Sequence, residues 1–356
     1  MLAKEVVRLL APFRHALTKN SFNTAHQCIE ITKDSVRCRS SHVAMDVSIN
    51  LDIAEYVEPV HVNGETLLAV LGSLPDDKEL KLAFRDHALH WTCGTTKGKI
   101  ACLDLAAMEK IPYISSAEVQ PPESFTAALE LGSLSCDATA MSSVGMSGVL
   151  IDVSFTPPII VSTDDVTLSA CFFAGVMPVS MPDQITLSAE TIPFLMNTIS
   201  DIGYWLIDDN TLLYSDGVSD MALSLASPLT RTETMLSLVL KCNKGKITAP
   251  IPMDTMRSFL KRADALTNNK PQLSVVIIAE GDRITLEFDE AIMQTQDYFT
   301  VPGLVIDRKV SVRINARKFA RALKYADEMV LDFIGDRMLV LRSAKRGFLY
   351  IIGGRA

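Results

Sequence analysis

Hydrophobic and polar positions change period in a repeating order along this chain. Between Glu58 and Leu105 a short alternating stretch leads into "NGETLLAVLGSL", whose apolar residues recur at helical spacing. Strict alternation then returns in "KELKLAF", "ALHWTC" and "GKIACLDL". The same order recurs from Gln184 in "QITLSAETIPFLMNTISDIGYWLIDDNTLLYSDGVSDMALSL" and from Lys309 in "KVSVRINARKFARALKYADEMVLDFIGDRMLVLRSAKRGFLYII". Weaker copies begin near Met1, Glu123 and Lys246, so the pattern predicts six β-α-β-β-β units.

One helix covers only one face of its unit's sheet, so two units must pack together to enclose a core. Six units therefore predict three tandem domains of α+β class, with boundaries at 1–115, 116–245 and 246–356 and joints at "YISSAEVQPPE" (113 to 123) and from Ser227 to Lys246. In the first unit Pro12 interrupts the helical pattern, and it is best placed in a first turn, where its missing N–H costs little.

Composition narrows the class. The 356 residues are 48% hydrophobic and 21% charged, and no apolar run is long enough to span a bilayer. The opening "MLAKEVVRLLAPFRHALTKN" scatters charges through its apolar residues and does not read as a signal peptide, so a cytoplasmic protein is expected. Seven cysteines without a C-x-x-C pair read as buried reduced thiols.

Candidate catalytic and metal motifs fail on spacing. "GMSG" at Gly145 lacks the nucleophile-elbow pattern. His87 and His90 in "RDHALHW" stand three apart between strand-like runs, which points them to opposite faces. "GTTKGKI" at Gly94 has three residues between its glycines where a phosphate loop needs four, and Ile100 where it needs a hydroxyl; it reads as a basic hairpin turn, and "NKGKI" at Asn243 reads similarly. The paired acids Asp76-Asp77, Asp164-Asp165 and Asp208-Asp209 read as turn caps. No enzyme, cofactor or metal is expected.

The formal charge is −8, yet cations gather on particular helices. "NARKFARALKYADEM" (315 to 329) puts Phe319, Ala322, Leu323 and Ala326 on one stripe and leaves Arg317, Lys318, Arg321 and Lys324 outside it. "PMDTMRSFLKRADAL" turns Met256, Phe259, Leu260 and Ala263 inward, leaving Arg257, Lys261 and Arg262; in the first unit Arg8, Arg14 and Lys19 lie on or beside the helix. A single such helix is an ordinary solvated face. Equivalent helices of consecutive units carrying cations point to a shared polyanion, held through phosphates without base reading.

These residues resemble the DNA sliding clamps, specifically the bacterial three-domain type, the beta subunit of replicative DNA polymerase. The resemblance rests on "FLKRADALTNNKPQLSVVIIAEGDRITLEF" with Arg262, Ala263, Leu266, Asn268 and Lys270, on "RINARKFARAL" with Asn315 and Leu323, on "LLAP" at Leu9, and on "GVLIDVSFTPPIIVSTDDVTL" with Gly148, Thr163-Asp164 and Leu168. It implies a homodimeric ring with helices inside and sheets outside, which encircles double-stranded DNA and binds short peptides of DNA polymerase and clamp loader. The implied peptide pocket involves Met146, Thr163, Leu168, Tyr350 and Ile352. The chain departs from the family at Asp165-Val166-Thr167, where Gly-His-Arg is usual, and at its tail "IIGGRA", where the family ends near Met-Pro-Met. Such divergence suits a phage- or plasmid-encoded clamp with a reshaped pocket.

Three alternatives stay open. "SSHVAMDVSI" at Ser40 resembles a strand of the two-domain clamps, proliferating cell nuclear antigen, so a trimeric ring is one. A non-encircling polymerase accessory factor of the same fold is another. An enzyme with an unrecognised site is the third.

Overall fold

The computed structural model describes residues 1–18, 21–51, 53–54, 59–112, 123–136, 148–164, 166–175, 181–199, 203–208, 210–229, 231–266, 273–290 and 293–354. The first module has α1 (Ala3–Leu10), α2 (Phe13–Ala16) and strands β1 to β3 (Cys28–Ile31, Ser35–Arg39, Val43–Ser48). Pro12 stands immediately before α2, where no intrahelical N–H is required. After β4 (Ile53–Ala54) the second module runs β5 (Val60–Asn63), α3 (Gly64–Gly72) and β6 to β8 (Leu80–Arg85, Ala88–Cys93, Thr96–Leu103). The third has α4 (Phe125–Gly132) and β9 to β11 (Gly148–Asp152, Ile159–Thr163, Thr167–Phe172). The fourth has β12 (Gln184–Ser188), α5 (Ile192–Thr198) and β13 to β15 (Tyr204–Asp208, Thr211–Ser215, Ser219–Ser224).

A further helix, α6 (Thr232–Asn243), occupies the stretch expected as a joint. Its Met235, Leu236, Val239 and Cys242 form a buried stripe, with Glu233 in the first turn and Lys241 in the last. "NKGKI" is therefore the end of α6 and the turn into the next strand, in place of the expected hairpin. The fifth module follows with β16 (Thr248–Pro250), α7 (Met253–Leu266) and β17 to β19 (Ser274–Gly281, Arg283–Glu290, Met293–Thr300). The sixth has β20 (Ile306–Asn315), α8 (Ala316–Leu323) and β21 to β23 (Glu328–Val330, Met338–Ser343, Phe348–Gly353). "GTTKGKI" does form a hairpin, with Cys93 paired to Thr96 across Gly94 in the left-handed conformation.

Strand exchange explains why the modules come in pairs. The leading strand of one module bonds to the sheet of the other: β5 to β1, β12 to β9, β16 to β21 and β20 to β17, all antiparallel. Neither module can complete its ladder alone, so its backbone groups find partners only in the pair.

Contacts divide the chain into two compact units. One comprises 1–123, 176–182 and 190–225 and holds an eleven-stranded sheet, in which β15 pairs with β3 through Ser219–Val47 to Leu223–Val43. On β1, β2, β3 and β5 of this unit Glu30, Arg37, Asp46 and His61 form a buried polar cluster. The other unit comprises 124–175, 183–189 and 226–356 and holds an eight-stranded and a four-stranded sheet. Here β11 pairs with β23, Thr167 opposite Ile352 and Cys171 opposite Phe348. The stretch 116–245 thus sends β9 to β12 into one unit and β13 to β15 into the other.

In the second unit the eight-stranded sheet is covered on both faces. Helix α6 packs with Leu150, Val161, Leu168, Leu349 and Ile351 on one side. Helix α4 lies on the opposite side, so close that a Cβ at Gly132 would stand 2.5 Å from the Ile160 methyl carbon Cγ2 and 2.9 Å from its carbonyl oxygen. The Gly132 carbonyl accepts the hydroxyls of Ser162 and Ser169, both at 2.7 Å.

Candidate functional site

Helices α7 and α8 of the second unit pack against each other. On α8 the stripe read from the sequence is buried: Phe319 and Ala322 fully, Leu323 and Ala326 nearly so. Asn315 caps the helix, its side-chain oxygen accepting the Lys318 N–H at 3.1 Å. On α7 Met256 and Phe259 are buried, Leu260 is half-buried, and Arg257 and Lys261 face solvent.

The predicted cations differ in what they touch. Arg8, Arg14, Arg257, Lys261, Arg317, Arg321 and Lys324 are exposed. Arg262 forms an ion pair with Asp297 of β19. Lys318 turns its ammonium to Asp164 at 2.5 Å, and Arg321 donates from Nη1 to the Leu134 carbonyl at 2.8 Å. Lys324 stands 4.2 Å from the centre of the Tyr325 ring, and Arg346 stands 5.9 Å from it. Lys345 and Arg346, exposed in the turn before β23, were not singled out from the sequence, although "AKRG" between two apolar strands was the available signal. Lys19, Asn268, Lys270 and Met146 lie outside the described residues.

At one end of α6 lies a cavity of about 260 Å³. Leu168, Met235, Leu238, Met338 and Ile351 make it apolar; Thr163, Thr167 and Thr234 add hydroxyls; Arg231 is its charged group. Thr163 and Leu168 of the expected pocket are both here, opposite each other in register. Tyr350 and Ile352 are not among the lining residues: alternation along β23 gives Ile351 and Gly353 to the cavity and turns Tyr350 to the α4 face, near Ser135 and Thr167. Burial pushes the Tyr350 phenol up. Thr234, Met235 and Leu238 were missed because α6 was read as a joint.

Asp164 organises the cavity's edge. Its Oδ1 accepts from the N–H groups of Val166 (3.1 Å) and Thr167 (2.6 Å) and from the Thr167 hydroxyl (2.8 Å). This is the turn-capping role expected of the paired acids. Among the described residues no three His, Cys, Asp or Glu side chains converge to hold a metal ion, and no helix is long and apolar enough to cross a membrane.

No known family profile matches the sequence, and no curated protein matches it. Solved structures do match, over the full chain. The Helicobacter pylori beta clamp bound to a DNA ligase peptide is 12% identical, with TM-score 0.78, covering 100% of this chain and 99% of that one. The DNA polymerase III subunit beta from Pseudomonas aeruginosa is 13% identical, with TM-score 0.76 and coverage of 100% and 98%. A putative DNA polymerase III beta subunit from Eubacterium rectale is 12% identical, with TM-score 0.77 and coverage of 99% and 98%.

The chain has the beta sliding-clamp fold. The α+β class and six-module plan expected from the repeat are those of this fold. The likeness extends over 99–100% of this chain and 98–99% of those structures.

Proposed function

We propose that this protein is a DNA sliding clamp: two copies close a cytoplasmic ring around duplex DNA and tether a replicative polymerase. The full-length likeness to beta clamps carries the reading, because a tether of this kind acts through topology and needs the whole set of modules. Weak phosphate contacts from exposed cations, Arg257 and Lys261 on α7 and Arg317 and Lys324 on α8, with Arg8 and Arg14 in the other unit, would let it slide, while closure prevents escape.

Among the sheet edges available for closure we single out two. One is β19, at the end of its sheet. The other is the Thr96–Ala101 side of β8, since β5 reaches β8 only at Cys102 and Leu103. The cavity at α6 suits an apolar anchor residue with a carboxylate facing Arg231, the chemistry of a short linear peptide from a polymerase or clamp loader.

The test is retention after loading on nicked circular duplex DNA, compared with the same DNA linearised, together with light scattering for two 39.0 kDa chains. A ring is lost when ends are opened. Equal retention on both would instead identify a non-encircling accessory factor, and a mass of three chains a trimeric clamp.

A further inference from the structure

Lys318 occupies the first turn of α8, three residues after the Asn315 cap, where the helix dipole disfavours a cation. Its side chain is only 31% exposed and its ammonium contacts Asp164 Oδ2 at 2.5 Å, while the Asp164 side chain is 12% exposed. Asp164 Oδ1 meanwhile accepts from the Val166 N–H and from the Thr167 N–H and hydroxyl. That turn is fixed on its far side as well, where the Gly353 N–H donates to the Val166 carbonyl at 2.7 Å, and the Thr163 hydroxyl donates to the Thr167 carbonyl at 2.7 Å. Thr163, Val166, Thr167 and Gly353 all line the α6 cavity. One carboxylate therefore holds the cavity wall, and one ammonium holds the carboxylate.

We propose that Lys318 is a positioning residue of the α6 cavity, acting through Asp164, and not one of the cations that meet DNA. The assignment rests on the reading of that cavity as a peptide site. A lysine freed for phosphate would leave a carboxylate with 12% exposure short of a charge-assisted partner. The sequence groups Lys318 with Arg317, Arg321 and Lys324 by helix and charge, but the fold gives it a different task.

The first measurement needs no ligand. In Lys318→Met, hydrogen exchange at the Val166, Thr167 and Gly353 amides should speed up by about 10-fold, the scale of one lost charged hydrogen bond. Exchange at Val161 and Ala170 in the adjoining strands should stay unchanged. Lys318→Arg should restore protection, and Lys318→Met combined with Asp164→Asn should be no worse than the stronger single change.

The second measurement uses a fluorescent peptide selected from a random library on the wild-type protein. Its affinity should fall about 10-fold in Lys318→Met, again as for one charged bond. The salt slope for duplex DNA should keep its wild-type value, whereas Lys324→Ala should lower it. Unchanged exchange at 166–167, or a DNA slope lowered by about one in Lys318→Met, would overturn the assignment. Leu238→Arg separates the two readings: if it leaves the selected peptide bound, the cavity is not the peptide site, and the exchange result still decides what Lys318 does.

Discussion

The Tyr325 hydroxyl donates to the Glu130 carboxylate at 2.7 Å, and one helical turn earlier Arg321 donates to the Leu134 carbonyl, so the end of α8 is clasped to α4 by two side chains. Glu130 is exposed and would be rehydrated if released. Tyr325→Phe should therefore cost only about 1 kcal/mol in urea unfolding. Arg321→Ala should cost a similar amount and should reduce the salt slope of DNA retention less than Lys324→Ala does, because one of its N–H groups is already used within the protein.

A larger loss is expected at Glu30. This carboxylate is fully buried, accepting from Arg37 Nη1 at 3.0 Å and from the Met108 N–H at 2.6 Å, with His61 Nε2 at 3.1 Å. Glu30→Ala leaves the buried guanidinium with only the more distant Asp46 carboxylate, at 3.9 Å, and unties the chain at Met108. Removing one partner of such a pair costs roughly 3–5 kcal/mol, so the midpoint of urea unfolding should drop sharply. Limited proteolysis should then cut near Met108 first.

The thiols make a pH prediction. Burial raises Cys171 from 9.0 to about 12 and Cys242 to about 11. Native protein at pH 8 should leave both unalkylated by iodoacetamide, and mass spectrometry after denaturation should show both modified. Because the folded thiols keep protons that the unfolded chain releases above pH 9.0, stability should fall as pH rises from about 9 towards 11. Cys242→Ala should flatten that fall.

At Gly132 the packing of α4 on β10 leaves no room for a methyl group, since the nearest obstacles include the Ile160 backbone. Gly132→Ala should destabilise by roughly 1–3 kcal/mol, as overpacking does. The Ser162 and Ser169 hydroxyls should lose their shared acceptor as the helix shifts. Calorimetry and exchange at the Ser135 amide, bonded to Ser169 at 2.9 Å, would report both effects.

Much of the fold can be read from local period. The buried stripe of α8, its Asn315 cap and the six helix-plus-strands modules, four of which open on a strand among the described residues, depend on short-range spacings that a linear reading captures. Helix α6 is equally legible in the spacing of Met235, Leu236, Val239 and Cys242, although the stretch from Ser227 to Lys246 reads as a joint between domains.

What the chain could not announce were decisions taken by distant partners. Every residue from Phe348 to Ile352 is buried, because helices cover both faces of that sheet; an all-apolar strand carries no alternation from which to tell that Ile351, and not Tyr350 or Ile352, faces the cavity. Lys318 likewise looks like its cationic neighbours until Asp164, 154 residues away in sequence, is brought to 2.5 Å. Sequence alone determined the modules and their charged helices, since those follow from local periodicity. Tertiary structure decided which module lends a strand to which, which side of β23 lines a cavity and which lysine is spent inside the protein, since each depends on packing between residues far apart in the chain.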